Sequence, residues 1–79
     1  MIFLIEYDRN HGRIVTFKQF ADFQQKEAAD QRLQLELELN RLRVEREVIL
    51  LEASSEAALR LTHRRYFENL EELVEPLSA

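Results

Sequence analysis

Two short apolar segments lie near the N-terminus, separated by polar residues. All but one of residues 2–7 are aliphatic or aromatic, and residues 14–17 have the same strand-forming character. The residues between them are polar and include Gly12, the single glycine of the chain. Glycine takes the positive φ of a bulged hairpin turn without steric cost. The pattern therefore predicts a β-hairpin with Gly12 in its turn.

Residues 20–42 consist mostly of strong helix formers. Glutamine, glutamate, alanine, leucine, arginine and lysine dominate this segment, and neither glycine nor proline interrupts it. Within it, residues 33–39 place leucine at every second position, which is also the period of a half-buried strand. Composition favours one long helix over the whole segment, with a strand over residues 33–39 as the alternative.

Two stripes of side chains run along this predicted helix. One face collects six residues at helical spacing: Phe20, Phe23, Gln31, Leu35, Leu39 and Leu42. A second stripe, well around the cylinder, consists of Leu33, Leu37 and Val44. A helix with two apolar stripes needs two apolar neighbours.

A third strand and a last helix are predicted after the long helix. Residues 46–52 form a short apolar run bounded by charges, which is typical of a buried strand. Ser54 or Ser55 can then cap a helix, because a serine hydroxyl accepts hydrogen bonds from the free amides of the first turn. Apolar residues recur at helical spacing up to residue 74, and Pro76 marks the predicted helix end.

The element order β-β-α-β-α indicates a single α+β domain over residues 1–79. The second strand, the long helix and the third strand form a βαβ crossover, so the third strand should run parallel to the second. The first strand fits between them, since it is apolar on both faces as a central strand requires. We therefore expect a three-stranded mixed sheet in strand order 2-1-3, with two helices on one face.

That arrangement leaves the other face of the sheet without a cover. The face carries alternating aliphatic side chains from the first and third strands, and leaving such a side chain in water costs roughly 1.5 to 3 kcal/mol relative to burial. A symmetric homodimer is the simplest cover, with the overhanging end of the long helix as a second contact. An unknown protein partner is the alternative. The predicted interface comprises Ile2, Leu4, Leu33, Leu37, Val48 and Leu50.

Composition narrows the compartment and the class of ligand. The chain has no cysteine, so neither disulfides nor a thiolate zinc site is expected. Its first apolar run is too short for a signal peptide or a membrane span. The net charge of -4 disfavours nucleic acid, whose phosphates require a basic surface. We expect a cytoplasmic protein that uses no cofactor and does not associate with membranes.

The two histidines are the first candidates for chemistry. Neither His11, in the hairpin loop, nor His63, in the last helix, has a metal-ligand spacing, so no metal site is predicted. His63 precedes Tyr66 by three residues, and on a helix their imidazole and phenol would be neighbours able to act as an acid and base pair. The structural alternative is a half-buried packing histidine.

A group of arginines forms the second candidate, a basic patch for nucleic acid or an anionic ligand. Its members lie in the hairpin loop and just before the third strand: Arg9, Arg13, Arg41, Arg43 and Arg46. Glu45 and Glu47 interrupt the second group, and basic residues near a helix C-terminus also stabilise the helix dipole. Helix stabilisation therefore explains Arg41 and Arg43 equally well.

The chain contains no Gly-rich phosphate loop and no nucleophile elbow, so its motifs do not identify a reaction. The leading hypothesis is a small non-enzymatic interaction protein that works as a homodimer. One alternative is a dimeric ligand-binding or catalytic protein with a site near His63 and Tyr66. The other is a nucleic-acid-binding module that uses the basic loop residues.

Overall fold

The computed structural model describes residues 1–68, which form three strands and two helices in the predicted order β-β-α-β-α. The elements are β1 (Ile2–Asp8), β2 (Arg13–Phe20), α1 (Gln25–Leu42), β3 (Glu47–Glu52) and α2 (Glu56–Thr62). Single 3-10 turns lie at Asp22–Gln24 and Arg64–Tyr66. Within this part of the chain, neither helix combines the length and the apolar character needed to cross a membrane.

The sheet has the predicted strand order, β2-β1-β3. β1 pairs antiparallel with both neighbours, so the sheet is antiparallel throughout, although β2 and β3 run in the same direction on either side of it. All seven residues of β1 are buried. This explains why the strand is apolar at nearly every position, since a central strand is covered on both faces.

The hairpin between β1 and β2 has the expected glycine in its turn, but its bulge lies within β2 and not at the turn. Glu6 lies opposite Thr16 and Tyr7 lies opposite Ile14, so Val15 is an extra residue in β2. Gly12 has φ of 63°, the left-handed conformation predicted for it. β2 continues to the residue opposite Ile2, three positions past its predicted end, and the long helix therefore begins later than predicted.

Residues 33–39 are helical, which rules out the strand that their alternating leucines also allowed. α1 ends in a left-handed turn at Arg43, with φ of 57° and ψ of 37°. The amide of Arg43 donates to the carbonyl of Asn40, and the amide of Val44 donates to that of Leu39, so free carbonyls of the last turn are satisfied. Val44 thus lies outside the helix.

The two helices cover opposite faces of the sheet, which corrects the expectation that both lie on one face. On the face that carries Ile2 and Leu4, called the α1 face below, these side chains pack with Ala28 of α1. On the face that carries Phe3, Ile5 and Tyr7, called the α2 face below, the cover is Leu59 of α2 and Tyr66; the complete buried set is Phe3, Ile5, Tyr7, Leu59 and Tyr66. Because β1 is apolar on both faces, one helix on each buries more apolar surface than two on one.

The last helix is shorter than its sequence pattern suggests. Ser55 caps it as predicted, since its hydroxyl accepts from the amide of Ala58 at 3.1 Å. The helix ends at Thr62, and His63 leaves the helical conformation with φ of -127° and ψ of 49°. The predicted continuation to Pro76 fails between residues 63 and 68, and the remainder of it lies outside the described residues.

Candidate interaction surface

Two leucines on the outer side of α1 remain in contact with solvent. Leu33 and Leu37 are 52% and 53% exposed, respectively. They lie roughly 150° around the helix from Ala28 and Leu39, which face the sheet and are buried. Two of the three residues of the predicted second stripe therefore lie on this side of α1, without Val44, and the chain provides no neighbour for them among residues 1–68.

Phe23 adds a large exposed aromatic side chain at the start of the same helix. The sequence pattern assigned it to the inner face, but it lies in the 3-10 turn before α1 and is 88% exposed. A shallow groove of about 480 Å³ runs beside it along α1, past Lys26 and Asp30. Exposed apolar side chains therefore occur from the turn before α1 to its last residue, Leu42, which the sequence pattern had placed on the same face as Leu39.

The sheet-face part of the predicted interface is covered by the chain itself. Ile2 and Leu4 are buried beneath α1, with 4% and 1% of their surface exposed. Val48 and Leu50 are half-buried and pack on the same cluster. The expectation that no element remains to cover this face is wrong, because α1 occupies it.

A polar cluster that the sequence reasoning missed lies on the α1 face near the hairpin turn. Glu6 and Asp8 are both buried. Arg46 Nη1 lies 2.5 Å from Glu6 Oε2, and the Thr16 hydroxyl donates to Glu6 Oε1 at 2.6 Å. The Nε of Arg46 is 4.0 Å from Asp8 Oδ2. Arg46 therefore pairs closely with buried Glu6 and lies at the limit of ion-pair distance from buried Asp8, which also has His11 as a partner.

Asp8 also stabilises the hairpin turn. Its Oδ1 accepts from the backbone amides of Asn10 at 3.0 Å and His11 at 3.3 Å, and its Oδ2 lies 2.7 Å from Nδ1 of His11. Burial alone would raise the pKa of Asp8, but the hydrogen bonds and charge of His11, with the amide of Asn10, hold this pKa below its ordinary value. The predicted loop histidine is thus a turn-stabilising residue.

A second polar cluster, on the α2 face, surrounds Glu47. The Tyr66 hydroxyl donates to Glu47 Oε1 at 3.0 Å, Arg65 Nη2 lies 3.1 Å from the same oxygen, and Arg9 Nε lies 3.5 Å from Oε2. Burial acts to raise the pKa of Glu47, but Tyr66, Arg65 and Arg9 together lower it. Burial, together with the Glu47 carboxylate, raises the pKa of Tyr66.

The structure does not join His63 to Tyr66 as an acid and base pair. The imidazole Nδ1 of His63 lies 2.9 Å from the Thr62 hydroxyl. Tyr66 is buried, and its ring meets Tyr7 edge to face with ring centroids 5.1 Å apart. Among the hydrogen bonds of residues 1–68, the phenol is shared with Glu47 and Arg65 and has no bond to the imidazole.

The predicted basic patch is divided among separate ion pairs. Arg9, Arg41 and Arg46 each pair with a glutamate, at 3.5, 2.6 and 2.5 Å. Arg13 and Arg43 are exposed. Three of the five guanidinium groups are thus already neutralised by carboxylates, which lowers the positive potential that would attract phosphate.

A cleft of about 270 Å³ separates the hairpin turn from the start of β3. It is lined by Arg9 and Arg46 and by Glu45 and Glu47, so neither sign of charge dominates. Within residues 1–68, no three histidine or carboxylate side chains come together as a group able to hold a metal ion. The cleft therefore presents no specific set of ligands for an anion or a cation.

One sequence signal could have located the Glu6 cluster. Glu6 is the single charged residue within the apolar run of residues 2–7. A charge in a strand that is covered on both faces must be buried, and it then needs a partner of opposite sign. That partner, Arg46, lies forty residues later in the chain, and only the pairing of β1 with β3 brings the two together.

Comparisons of this chain with protein families, with curated proteins and with solved structures find no match. Its function is therefore argued from its own side chains and surfaces.

Proposed function

We propose that this chain is a small, non-enzymatic interaction protein of the cytoplasm that works as a homodimer. The observation that carries the proposal is the pair of half-exposed leucines, Leu33 and Leu37, on the side of α1 that faces away from its own sheet. A cytoplasmic location is supported by the absence of cysteine, which suits a reducing compartment.

The small size of the molecule gives exposed apolar surface more weight than it has in a larger protein. Its 79 residues leave a thin core, and a domain of this size has a stability of only ~5 kcal/mol. Burying the exposed half of one leucine contributes about 1 kcal/mol. A two-fold contact that buries both leucines of both chains contributes about 4 kcal/mol per dimer, or about 2 kcal/mol per chain, a large fraction of the stability of the fold.

The polar clusters fit this role because they are engaged within the chain. Glu6 and Asp8 are neutralised by Arg46, and Glu47 is held by Tyr66 and arginines. Buried, mutually satisfied groups of this kind fix the structure of a protein. They support a scaffold function near the hairpin and leave the outer side of α1 as the surface for a partner.

The test is the solution mass by light scattering after size exclusion, over a concentration series. We expect a mass of twice the 9.5 kDa chain for the wild type. The double variant Leu33→Gln with Leu37→Gln should dissociate at protein concentrations at least tenfold higher, because glutamine keeps helix propensity and removes the apolar contact.

Leu61→Gln is the matched control, since Leu61 is 76% exposed on α2, which covers the opposite face of the sheet. This variant should dimerise like the wild type. A wild type that stays monomeric throughout the series, or a double variant that dimerises as tightly as the wild type, would contradict the proposal.

A further inference from the structure

The two edges of the sheet differ in how they are protected against pairing. The outer edge of β2 carries the bulge at Val15 and the charged residues Arg13 and Lys18. Bulges and lysines are features by which proteins prevent edge strands from pairing. Lys18 Nζ also donates to the Gln31 side chain of α1 at 3.1 Å. This edge is therefore poorly suited to another strand.

β3 has no bulge and no lysine, and its two charged residues lie at its ends. Its four central residues, 48–51, are aliphatic and half-buried, and they lie between Glu47 and Glu52. The register with β1 is regular from one end of β3 to the other. An apolar edge strand of this kind is a template for another strand.

The alternation of hydrogen-bonded residues along β3 shows which of its backbone groups are free. The amide of Ala53 donates to the carbonyl of Met1 at 3.1 Å, which fixes this pair as hydrogen-bonded. Because bonding alternates along an antiparallel ladder, β3 residues 51, 49 and 47 also bond to β1. Val48, Leu50 and Glu52 then direct their amides and carbonyls away from the sheet, and the backbone hydrogen bonds of residues 1–68 give these outward groups no partner.

We propose that the second copy docks at this edge, so that β3 pairs antiparallel with β3 of its partner and the two sheets become one sheet of six strands. The inference rests on the proposed homodimer and specifies its interface. Three outward residues on each copy supply the new ladder, and the α1 helices of both copies lie on the same face of the joined sheet.

The charges and sizes of the β3 side chains favour one register and support a second copy of the chain as the partner at this edge. With the two-fold axis at Ile49, Val48 lies opposite Leu50 of the second copy, and Glu52 lies opposite its Arg46. The three central pairs are then apolar on both sides, and the exposed Glu52 faces Arg46, which also pairs with Glu6 of its own chain. Glu47, which Tyr66 and two arginines hold within its own chain, faces Leu51. Moving the axis to Leu50 would place Val48 opposite Glu52. The strand is thus complementary to itself in one register.

The same pairing brings the β3 side of α1 into the interface, which includes Leu33 but not Leu37. On the β3 side of α1, Glu36 and Asn40 line a groove with Val48, whereas on the other side Gln34 lines a groove with Thr16. Leu33 lies on the β3 side of the helix by its angular position. Joining the β3 edges brings two α1 helices side by side near the usual packing distance of about 10 Å, with Leu33, Glu36 and Asn40 on their facing sides.

A single cysteine in this cysteine-free chain tests the geometry. Residue 49 of the two copies would form a non-hydrogen-bonded pair with Cα atoms about 4.5 Å apart, which lies within disulfide range. Ile49→Cys should therefore form a covalent dimer on mild oxidation. Val15→Cys, at the opposite edge of the sheet, and Leu37→Cys, on the outermost line of α1, should give at least tenfold less covalent dimer.

Amide hydrogen exchange of the unmodified protein provides a second measurement that does not depend on a variant's folding. The amides of Val48, Leu50 and Glu52 should exchange at least tenfold more slowly at dimer concentrations than at monomer concentrations. In a protein of dimeric mass, fast exchange of these amides together with crosslinking through Leu37→Cys and not through Ile49→Cys would overturn the edge pairing. The homodimer itself would then still stand. A monomeric mass at all concentrations would overturn both proposals.

Discussion

At the scale of single residues, the Arg46 guanidinium group has the largest expected effect on stability. It holds the charges of Glu6 and Asp8, which are buried on the central strand. Removing one partner of a buried pair costs more than the pair itself contributes, because the remaining charge stays buried without compensation. The hairpin end of the α1 face should therefore depend on this one side chain.

Arg46→Met should lower the free energy of unfolding by about 2 to 3 kcal/mol, less than for a fully buried pair because the arginine is partly exposed. Arg41→Met, which removes an exposed ion pair with Glu38, should cost no more than about 0.5 kcal/mol. Urea unfolding of both variants measures the difference. Equal losses would show that Glu6 and Asp8 do not rely on Arg46.

The lowered pKa of Glu47 predicts how stability depends on acidity. A carboxyl group whose pKa in the folded state lies below its ordinary value of 4.5 stabilises the fold fully at higher pH. This contribution is lost as the pH falls through the folded-state pKa, when Glu47 becomes protonated and releases Arg65 and Arg9. Unfolding free energies between pH 6 and pH 2.5 should decline less steeply for Glu47→Gln than for the wild type. Identical slopes would contradict this role.

At the scale of elements, strand order and element type could be predicted, because they depend on local composition and on the apolar central strand. Residues 33–39 are helical even though their leucines alternate, because the helix-forming segment around them extends well past any strand of this small sheet. The turn at Arg43 then ends α1 without a glycine. A left-handed arginine has no signal in the sequence. The predicted helix end at residue 42 is nevertheless correct, and it is the start of α1 that lies later than predicted.

The face that each helix covers could not be predicted from the helix patterns alone. An amphipathic stripe shows that one side of a helix is buried, and it does not show against which face of the sheet. β1 provided the missing information, since it is apolar on both faces and therefore needs a cover on both. Applied to β1, that argument places α1 and α2 on opposite faces, as the structure has them.

Two leucines of α1 test which stripe packs on the sheet. Leu39→Ala should lower the free energy of unfolding by about 2 to 3 kcal/mol, because Leu39 is buried against the α1 face. Leu37→Ala, the same change two positions earlier, should cost less than about 0.5 kcal/mol at concentrations where the protein is monomeric. Urea unfolding of both variants at low protein concentration measures the contrast, and a reversed order would mean that the helix is rotated.

At the scale of the whole molecule, two small hydrophobic clusters share the central strand β1. The α1 face and the α2 face each bury a few side chains of β1, and the apolar residues left outside include Leu33, Leu37 and Phe23. The sequence predicted surplus apolar surface but assigned part of it to the sheet face, because α2 was expected to share a face with α1. With the helices on opposite faces, the exposed apolar residues of α1 within residues 1–68 lie away from the sheet, and half-buried aliphatic residues of β3 form a sheet edge.

Self-association makes the thermal stability of this protein depend on its concentration. Folding is linked to dimer formation by mass action, so a tenfold rise in protein concentration stabilises each folded chain by about 0.7 kcal/mol, half of the 1.4 kcal/mol per dimer. For a domain of this size, that raises the midpoint of thermal unfolding by roughly 3 to 5 °C. The double variant Leu33→Gln with Leu37→Gln should show a midpoint that does not change with concentration. Differential scanning calorimetry at several concentrations measures both proteins, and a constant wild-type midpoint would mean that the folded chain is stable alone and that its exposed leucines face water.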